Sequence, residues 1–167
     1  MATTKTLQDL MLVFMQDVYY AERQILKALP KMAKAAENTE LKQALLHHRE
    51  ETQGQVERLQ KAFEAMGKPS RGRTCEVING LVEEGEEVVE DFPAGVVRDA
   101  GIVASAQAVE HYEMARYGTI VAWAKTCGED EVARLMQETL EEEKKADTLL
   151  NGLAKKGINQ QAMKQAA

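Results

Sequence analysis

The chain has 167 residues and a formal net charge of −6, with 44% hydrophobic and 29% charged residues, which is typical of one soluble, mostly helical domain. This acidic balance argues against nucleic-acid binding, which depends on basic side chains that contact phosphates. We expect a cytoplasmic protein without membrane association, because no apolar stretch is long enough to span a bilayer, no signal peptide is evident, and Cys75 and Cys127 form no metal-binding pair.

The first part of the sequence predicts a helical hairpin. Apolar residues at helical spacing indicate one long helix over about residues 5–36 and a second over about residues 39–66. Asn38 or Thr39 is suited to cap the second helix, because either side chain can accept a hydrogen bond from a free backbone amide. The link between the helices is so short that they must run antiparallel.

The middle segment, residues 67–93, is rich in glycine and glutamate. Its few apolar residues are spaced for one weak amphipathic helix, so we interpret the segment as a crossover that carries a short helix. Its run of glutamates is typical of a solvated helix face rather than of a binding site.

The last part of the sequence predicts a second hairpin. A third long helix begins after Pro93 and ends near Gly128, and a fourth runs from about Glu129 to Gly157, followed by a tail over 156–167 that we expect to be frayed. We therefore predict a single all-α domain over residues 1–167, with its core at about 5–155. Two hairpins joined by one long crossover with a short fifth helix are typical of a ferritin-like antiparallel four-helix bundle.

All four predicted core stripes turn polar near their middles, where apolar residues are expected. The polar residues are Glu22 in the first helix, His48, Glu51, Thr52 and Gln55 in the second, Glu110 and Glu113 in the third, and Glu143 and Asp147 in the fourth. One acid from each helix lies about equally far from the turn of its hairpin, which places the four acids at the same depth. Unpaired acids so close together would repel one another, and bound cations would remove that conflict.

We therefore predict two iron or manganese ions per chain. Carboxylate oxygens with few imidazoles suit these metals better than zinc. The predicted ligands are Glu22, His48, Glu51, Glu110, Glu113, Glu143 and Asp147. Glu51 and Glu143 are the candidates for bridging two ions, and no residue is assigned a catalytic role.

An alternative interpretation makes the protein a structural or interaction module. The core acids would then pair with arginines, and the arginines considered are Arg49, Arg58 and Arg116. Thr52 and Gln55 suit hydrogen bonding as well as metal binding, and the roles of Asp17 and Glu142 stay open.

Several motifs resemble those of the YciE/YciF family of ferritin-like, stress-associated bacterial proteins. They are Asp17-Val-Tyr-Tyr-Ala-Glu22-Arg-Gln, His48-Arg-Glu-Glu51-Thr52-Gln-Gly-Gln55, Arg98-Asp99-Ala100, Ala106-Gln107-Ala-Val-Glu110-His111-Tyr112-Glu113, Tyr117-Gly118 and Thr139-Leu-Glu-Glu-Glu143 with Asp147. The resemblance implies a ferritin-like fold, a homodimer and metal ligands at the positions named above.

The sequence also departs from the usual ferritin-like pattern of Glu-x-x-His motifs. His48 precedes its glutamate, and Asp147 stands where a histidine is common. We expect a carboxylate-rich site, with ferroxidase or peroxide-scavenging chemistry during stress as the hypothesis for its function.

Overall fold

The computed structural model describes residues 5–165. Within that range the chain forms helices joined by short turns. In chain order these are α1 (Leu7–Ala35), α2 (Thr39–Ala65), α3 (Glu76–Asp91), α4 (Val96–Cys127), α5 (Asp130–Leu153), a π-helical turn (Ala154–Ile158) and α6 (Asn159–Gln165). None of the described helices has the length and apolar character needed to cross a membrane.

The four long helices form the predicted bundle. Helices α1 and α2 pack as one hairpin and α4 and α5 as the other, while α1 also packs against α4, and α2 against α5. Helix α3 lies across α1 and α4. The prediction of two hairpins joined by a crossover with a short helix is therefore confirmed.

The ends of the helices follow local capping chemistry. Thr6 and Asp9 form a capping box at the start of α1, in which the Thr6 side chain accepts from the Asp9 amide at 3.1 Å. Asn38, rather than Thr39, caps α2 by accepting from the Leu41 amide at 2.9 Å. Gly128 follows the last residue of α4 and caps the helix, and its φ of 75° is a left-handed conformation that glycine adopts without steric cost.

Two apolar clusters fill the core, one toward each end of the bundle. Along α1 the first cluster extends to Tyr19 and the second begins at Ala21. Along α4 the second cluster includes Ala106, and the first resumes at Tyr117. The polar residues of the stripes lie between the two clusters, so the apolar layers enclose a polar one.

The crossover and the tail are more ordered than their sequences suggest. A Cβ atom on Gly101 would lie 2.5 Å from Cγ1 of Val88, so glycine permits the close packing of α3 on α4. We expected fraying from residue 156, whereas the chain stays helical to Gln165 and buries Ile158. Residues 166–167 lie outside the described part of the chain.

A buried carboxylate joins the two hairpins. Both oxygens of Asp99, on α4, accept backbone amides of the α1–α2 turn, from Glu37 and Asn38, each at 2.8 Å. The neighbouring Arg98 donates to the carbonyl oxygen of Ala35 at 2.7 Å. These contacts anchor the first turn to α4 and give the Arg98-Asp99 motif a structural role that the sequence did not reveal.

Replacing Asp99 tests this anchor. Asp99→Ala leaves two amides without their acceptor, and hydrogen bonds to a charged group contribute about 1.5–3 kcal/mol each. We expect the free energy of unfolding, measured by urea denaturation, to fall by about 3 kcal/mol or more. The exposed Glu87→Ala on α3 is the control. Equal stability of the two variants would contradict the anchoring role.

Candidate metal centre

The polar layer takes side chains from all four long helices. Its members are almost fully removed from solvent, and they are Glu22, His48, Thr52, Gln55, Glu110, Glu113, Thr139 and Glu143. The polar residues that interrupt the apolar faces of the predicted helices therefore form one layer in the structure.

Four of these residues converge on one point. Each of His48, Glu110, Glu113 and Glu143 offers a ligand atom, and these atoms lie within 4.8 Å of one another. Nε2 of His48 is 3.2 Å from Oε1 of Glu110 and 3.6 Å from Oε2 of Glu143. Neither contact has hydrogen-bond geometry, so Nε2 faces the carboxylates without a partner.

Glu51 lies beside this group and orients the histidine. Its Oε2 is 3.4 Å from Nδ1 of His48, and its Oε1 is 3.5 Å from the exposed His47. The Glu51 side chain keeps 25% of its surface exposed. A proton on Nδ1 that points to Glu51 leaves the lone pair of Nε2 aimed at the carboxylates, which is the tautomer that a metal requires.

Glu143 is held by one oxygen only. The amide Nε2 of Gln55 donates to Oε1 of Glu143, while Oε2 is buried without a hydrogen-bond partner. Thr52, by contrast, donates its hydroxyl to the backbone oxygen of His48 at 2.8 Å, within its own helix. Gln55, rather than Thr52, therefore contacts the cluster through its side chain.

Glu22 adjoins the group from α1 and is held in the same way. The Tyr117 hydroxyl donates to Oε1 of Glu22, and Oε2 of Glu22 is buried and unpaired. Burial, reinforced by the charge on Glu22, raises the pKa of Tyr117 well above its usual range, so the phenol stays a donor. The sequence did not reveal this contact of Tyr117, because the spacing along α4 says nothing about a partner on α1.

Asp147 lies outside the convergent group. Its Oδ1 is 3.1 Å from the amide Nε2 of Gln107 and 3.2 Å from Nε2 of the exposed His111. Of the seven predicted ligands, the structure thus brings four together and places Glu22 next to them. Glu51 and Asp147 are at the edges of the layer.

In the part of the chain that the structure describes, the arginines near the layer pair with groups other than its buried acids. Arg58 pairs with Glu142 and Glu138, and Arg116 lies over the ring of Phe14 with its guanidinium carbon 4.3 Å from the ring centroid. Within residues 5–165, no salt bridge joins an arginine to the core acids, which are Glu22, Glu110, Glu113 and Glu143. The ion pairs of the alternative interpretation are therefore not formed.

Burial makes ionisation of three of the core acids unfavourable. It raises the pKa values of Glu22, Glu110 and Glu113 well above their usual range, and neighbouring carboxylates, Glu143 among them, raise these values further. Burial alone would lower the pKa of His48, but its contacts with Glu51 and Glu143 outweigh that effect and raise it. The layer therefore favours bound protons or another source of positive charge.

The unpaired atoms of the layer suit a metal ion. They are Oε2 of Glu22, Nε2 of His48, Oε1 of Gln55, Oε2 of Glu110, both carboxylate oxygens of Glu113 and Oε2 of Glu143. Buried polar atoms are normally hydrogen-bonded, so this concentration requires an explanation. Several carboxylate oxygens with one imidazole nitrogen form a donor set suited to iron or manganese.

Comparison with known proteins identifies the family. Residues 6–163 match the family described as "Domain of unknown function (DUF892)". The chain is 42% identical to the protein YciF of Escherichia coli (strain K12) over 163 residues, which cover 97% of this chain and 98% of that protein.

Solved structures of relatives agree with this assignment to a family. The crystal structure of the E. coli stress protein YciF has a TM-score of 0.89 and covers 93% of this chain and 99% of that one. YcfI of Rhodopseudomonas palustris, provisionally described as a structural protein, is 49% identical with a TM-score of 0.87, over 90% of this chain and 96% of that one. The chain therefore belongs to the YciF family, as its motifs predicted, and has the helical-bundle fold of these relatives.

Proposed function

We propose that this protein binds iron or manganese in the polar layer of its bundle. The observation that carries the proposal is the convergence of His48, Glu110, Glu113 and Glu143, whose ligand atoms lie within 4.8 Å of one another while several stay unpaired. A bound cation would offset the electrostatic penalty of burying these acids, because it supplies the positive charge that no arginine provides.

The contacts of each residue suggest how two ions would share the ligands. His48, Glu110 and Glu143 would hold one ion, and Glu22 would supply an oxygen from α1 for a second. Glu113 would be the residue shared by both, because both of its oxygens are buried and unpaired. This assignment replaces the bridging roles expected for Glu51 and Glu143, since Glu51 orients His48 and Gln55 occupies one oxygen of Glu143.

Iron or manganese at this position would supply one-electron exchange with oxygen or peroxide. The protein itself contributes exclusion of water by the two apolar clusters and a fixed orientation of the donor atoms. Glu110 and Glu113 would release their protons in exchange for a bound cation. A ferroxidase or peroxide-scavenging role agrees with the description of the E. coli relative as a stress protein. A homodimer, which the family resemblance implies, and a cytoplasmic location, which the sequence predicts, complete the proposal.

A second candidate is a structural role without metal. It is favoured by the description of the R. palustris relative, and it requires the core acids to stay protonated. The two functions differ in whether the purified chain retains a cation.

Metal analysis separates these functions. After anaerobic dialysis against Fe²⁺, or aerobic dialysis against Mn²⁺, we expect up to two ions per chain by elemental analysis. His48→Gln and Glu113→Gln should retain much less metal, whereas the exposed Glu131→Gln should bind like the wild type. In air, the wild type should oxidise Fe²⁺ faster than Glu113→Gln. No retention by the wild type would favour the structural role.

Glu113→Gln should also stabilise the metal-free fold. Glutamine has nearly the shape of glutamate but does not ionise, so the variant avoids the cost of burying the Glu113 carboxylate or of keeping it protonated. Relief of such a penalty is worth about 1–2 kcal/mol. Urea denaturation in the presence of a chelator should show the increase, while metal retention falls. A loss of stability in chelator would mean that ionised Glu113 is already compensated inside the protein.

The metal-free protein should lose stability as the pH rises. The raised pKa values of Glu22, Glu110 and Glu113 mean that the folded state binds more protons than the unfolded state above pH about 4.3, the usual value for Glu. His48 acts in the same direction above pH about 6.5.

Urea midpoints measured with chelator from pH 5 to 8 should therefore fall. The free energy of unfolding decreases by about 1.4 kcal/mol per pH unit for each extra proton that the folded state binds. The lowered pKa of Glu51 contributes the opposite slope only at more acidic pH. Saturating Mn²⁺ should reduce the slope, because a cation replaces the protons. A urea midpoint that rises over this pH range in chelator would contradict the raised pKa values of the buried acids.

A further inference from the structure

A chain of side chains leads from the polar layer toward the surface. Nε2 of the buried Gln55 donates to Oε1 of Glu143 and also to Oε2 of Glu142, the latter at 3.1 Å. The two acceptors are carboxylates on α5, so the amide nitrogen rather than the amide oxygen must face them. Gln55 is thereby fixed in one of its two amide orientations.

Arg58 secures the outer end of this chain. Its two terminal nitrogens donate to the two oxygens of Glu142, at 2.8 and 3.0 Å, in the bidentate geometry that fixes both groups. Nη1 of Arg58 also donates to the Thr139 hydroxyl at 2.8 Å. Its Nε lies 3.3 Å from Glu138, and 17% of the side chain is exposed. The guanidinium therefore ties α2 to α5 beside the layer.

We infer that Arg58, Glu142 and Gln55 form a positioning chain that holds Glu143 with one oxygen fixed and the other presented to the cation. The inference rests on the proposed metal site. Oε1 of Glu143 is held by the amide of Gln55, and Oε2 is the unpaired atom on the side of His48. Glu143 then supplies a single oxygen, which agrees with Glu113 as the bridging residue.

The charges along the chain suit this role. Gln55 is neutral, so it orients Glu143 without bringing a positive charge that would compete with a metal ion. The positive charge of Arg58 stays one residue farther out, where Glu142 and Glu138 balance it. The chain can thus transmit orientation, while the negative charge of the site remains available to the cation.

Two substitutions test the chain. Gln55→Leu removes the donor at similar size, and Arg58→Lys keeps the charge but loses the bidentate fork. Loss of an orienting partner typically weakens metal affinity about 10–100-fold. We expect a weakening in this range for Mn²⁺ with Gln55→Leu and a smaller weakening with Arg58→Lys. Arg134→Lys is the matched control, because among the described residues Arg134 pairs with exposed acids on α5, Glu131 and Glu138.

A spectroscopic readout separates positioning from general destabilisation. The visible absorption of bound Co²⁺ depends on ligand geometry, so Gln55→Leu and Arg58→Lys should change the band shape at saturation, while Arg134→Lys should not. Unfolding in chelator shows whether each variant is folded. If Gln55→Leu does not fold, Arg58→Lys carries the same test.

The outcomes distinguish this inference from the proposed function. The wild type could bind metal while the folded variants keep its Mn²⁺ affinity and Co²⁺ spectrum. That result would overturn the positioning chain and leave the metal site intact. A wild type that binds neither ion would overturn the metal site and the inference with it. Weakened affinity with an altered spectrum supports both.

Discussion

The burial of several carboxylates in one layer is the constraint on which the rest of the structure depends. Each buried acid must be protonated or neutralised, because an uncompensated charge in an apolar core is costly. The two apolar clusters stabilise the bundle on either side of this layer and also exclude the water that would otherwise solvate it. The same packing that holds the helices together therefore creates the demand for positive charge that a cation would meet.

Three members of the layer are held in a common manner. Tyr117 holds one oxygen of Glu22, Gln55 holds one oxygen of Glu143, and Glu51 lies against one nitrogen of His48. In each case the second donor atom stays unpaired. A network built only for stability would satisfy all of its members. The repeated combination of one fixed atom and one free atom is what preorganised metal ligands require.

The sequence predicted the bundle and the depth of the layer because helical periodicity and distance from a turn fix which residues share a face and a height. It did not predict whether a side chain at the edge of a stripe points inward. His48 and Glu51 are three residues apart, and a rotation of α2 by part of a turn decides which of them enters the core. The partners of Tyr117 and Arg58 lie on other helices, and those of Asp99 lie in the α1–α2 turn. The spacing within one helix carries no information about them.

The position of Arg58 agrees better with the proposed cation site than with a polar core that neutralises itself. Its guanidinium pairs with Glu142 and Glu138 at the edge of the layer. It does not pair with Glu143, although Glu142 is the direct neighbour of Glu143 in sequence. A guanidinium that entered the layer would neutralise an acid permanently and remove the reason for a metal to bind. A neutral amide stands between the arginine and Glu143 instead, so orientation is supplied from outside while the charge deficit inside is preserved.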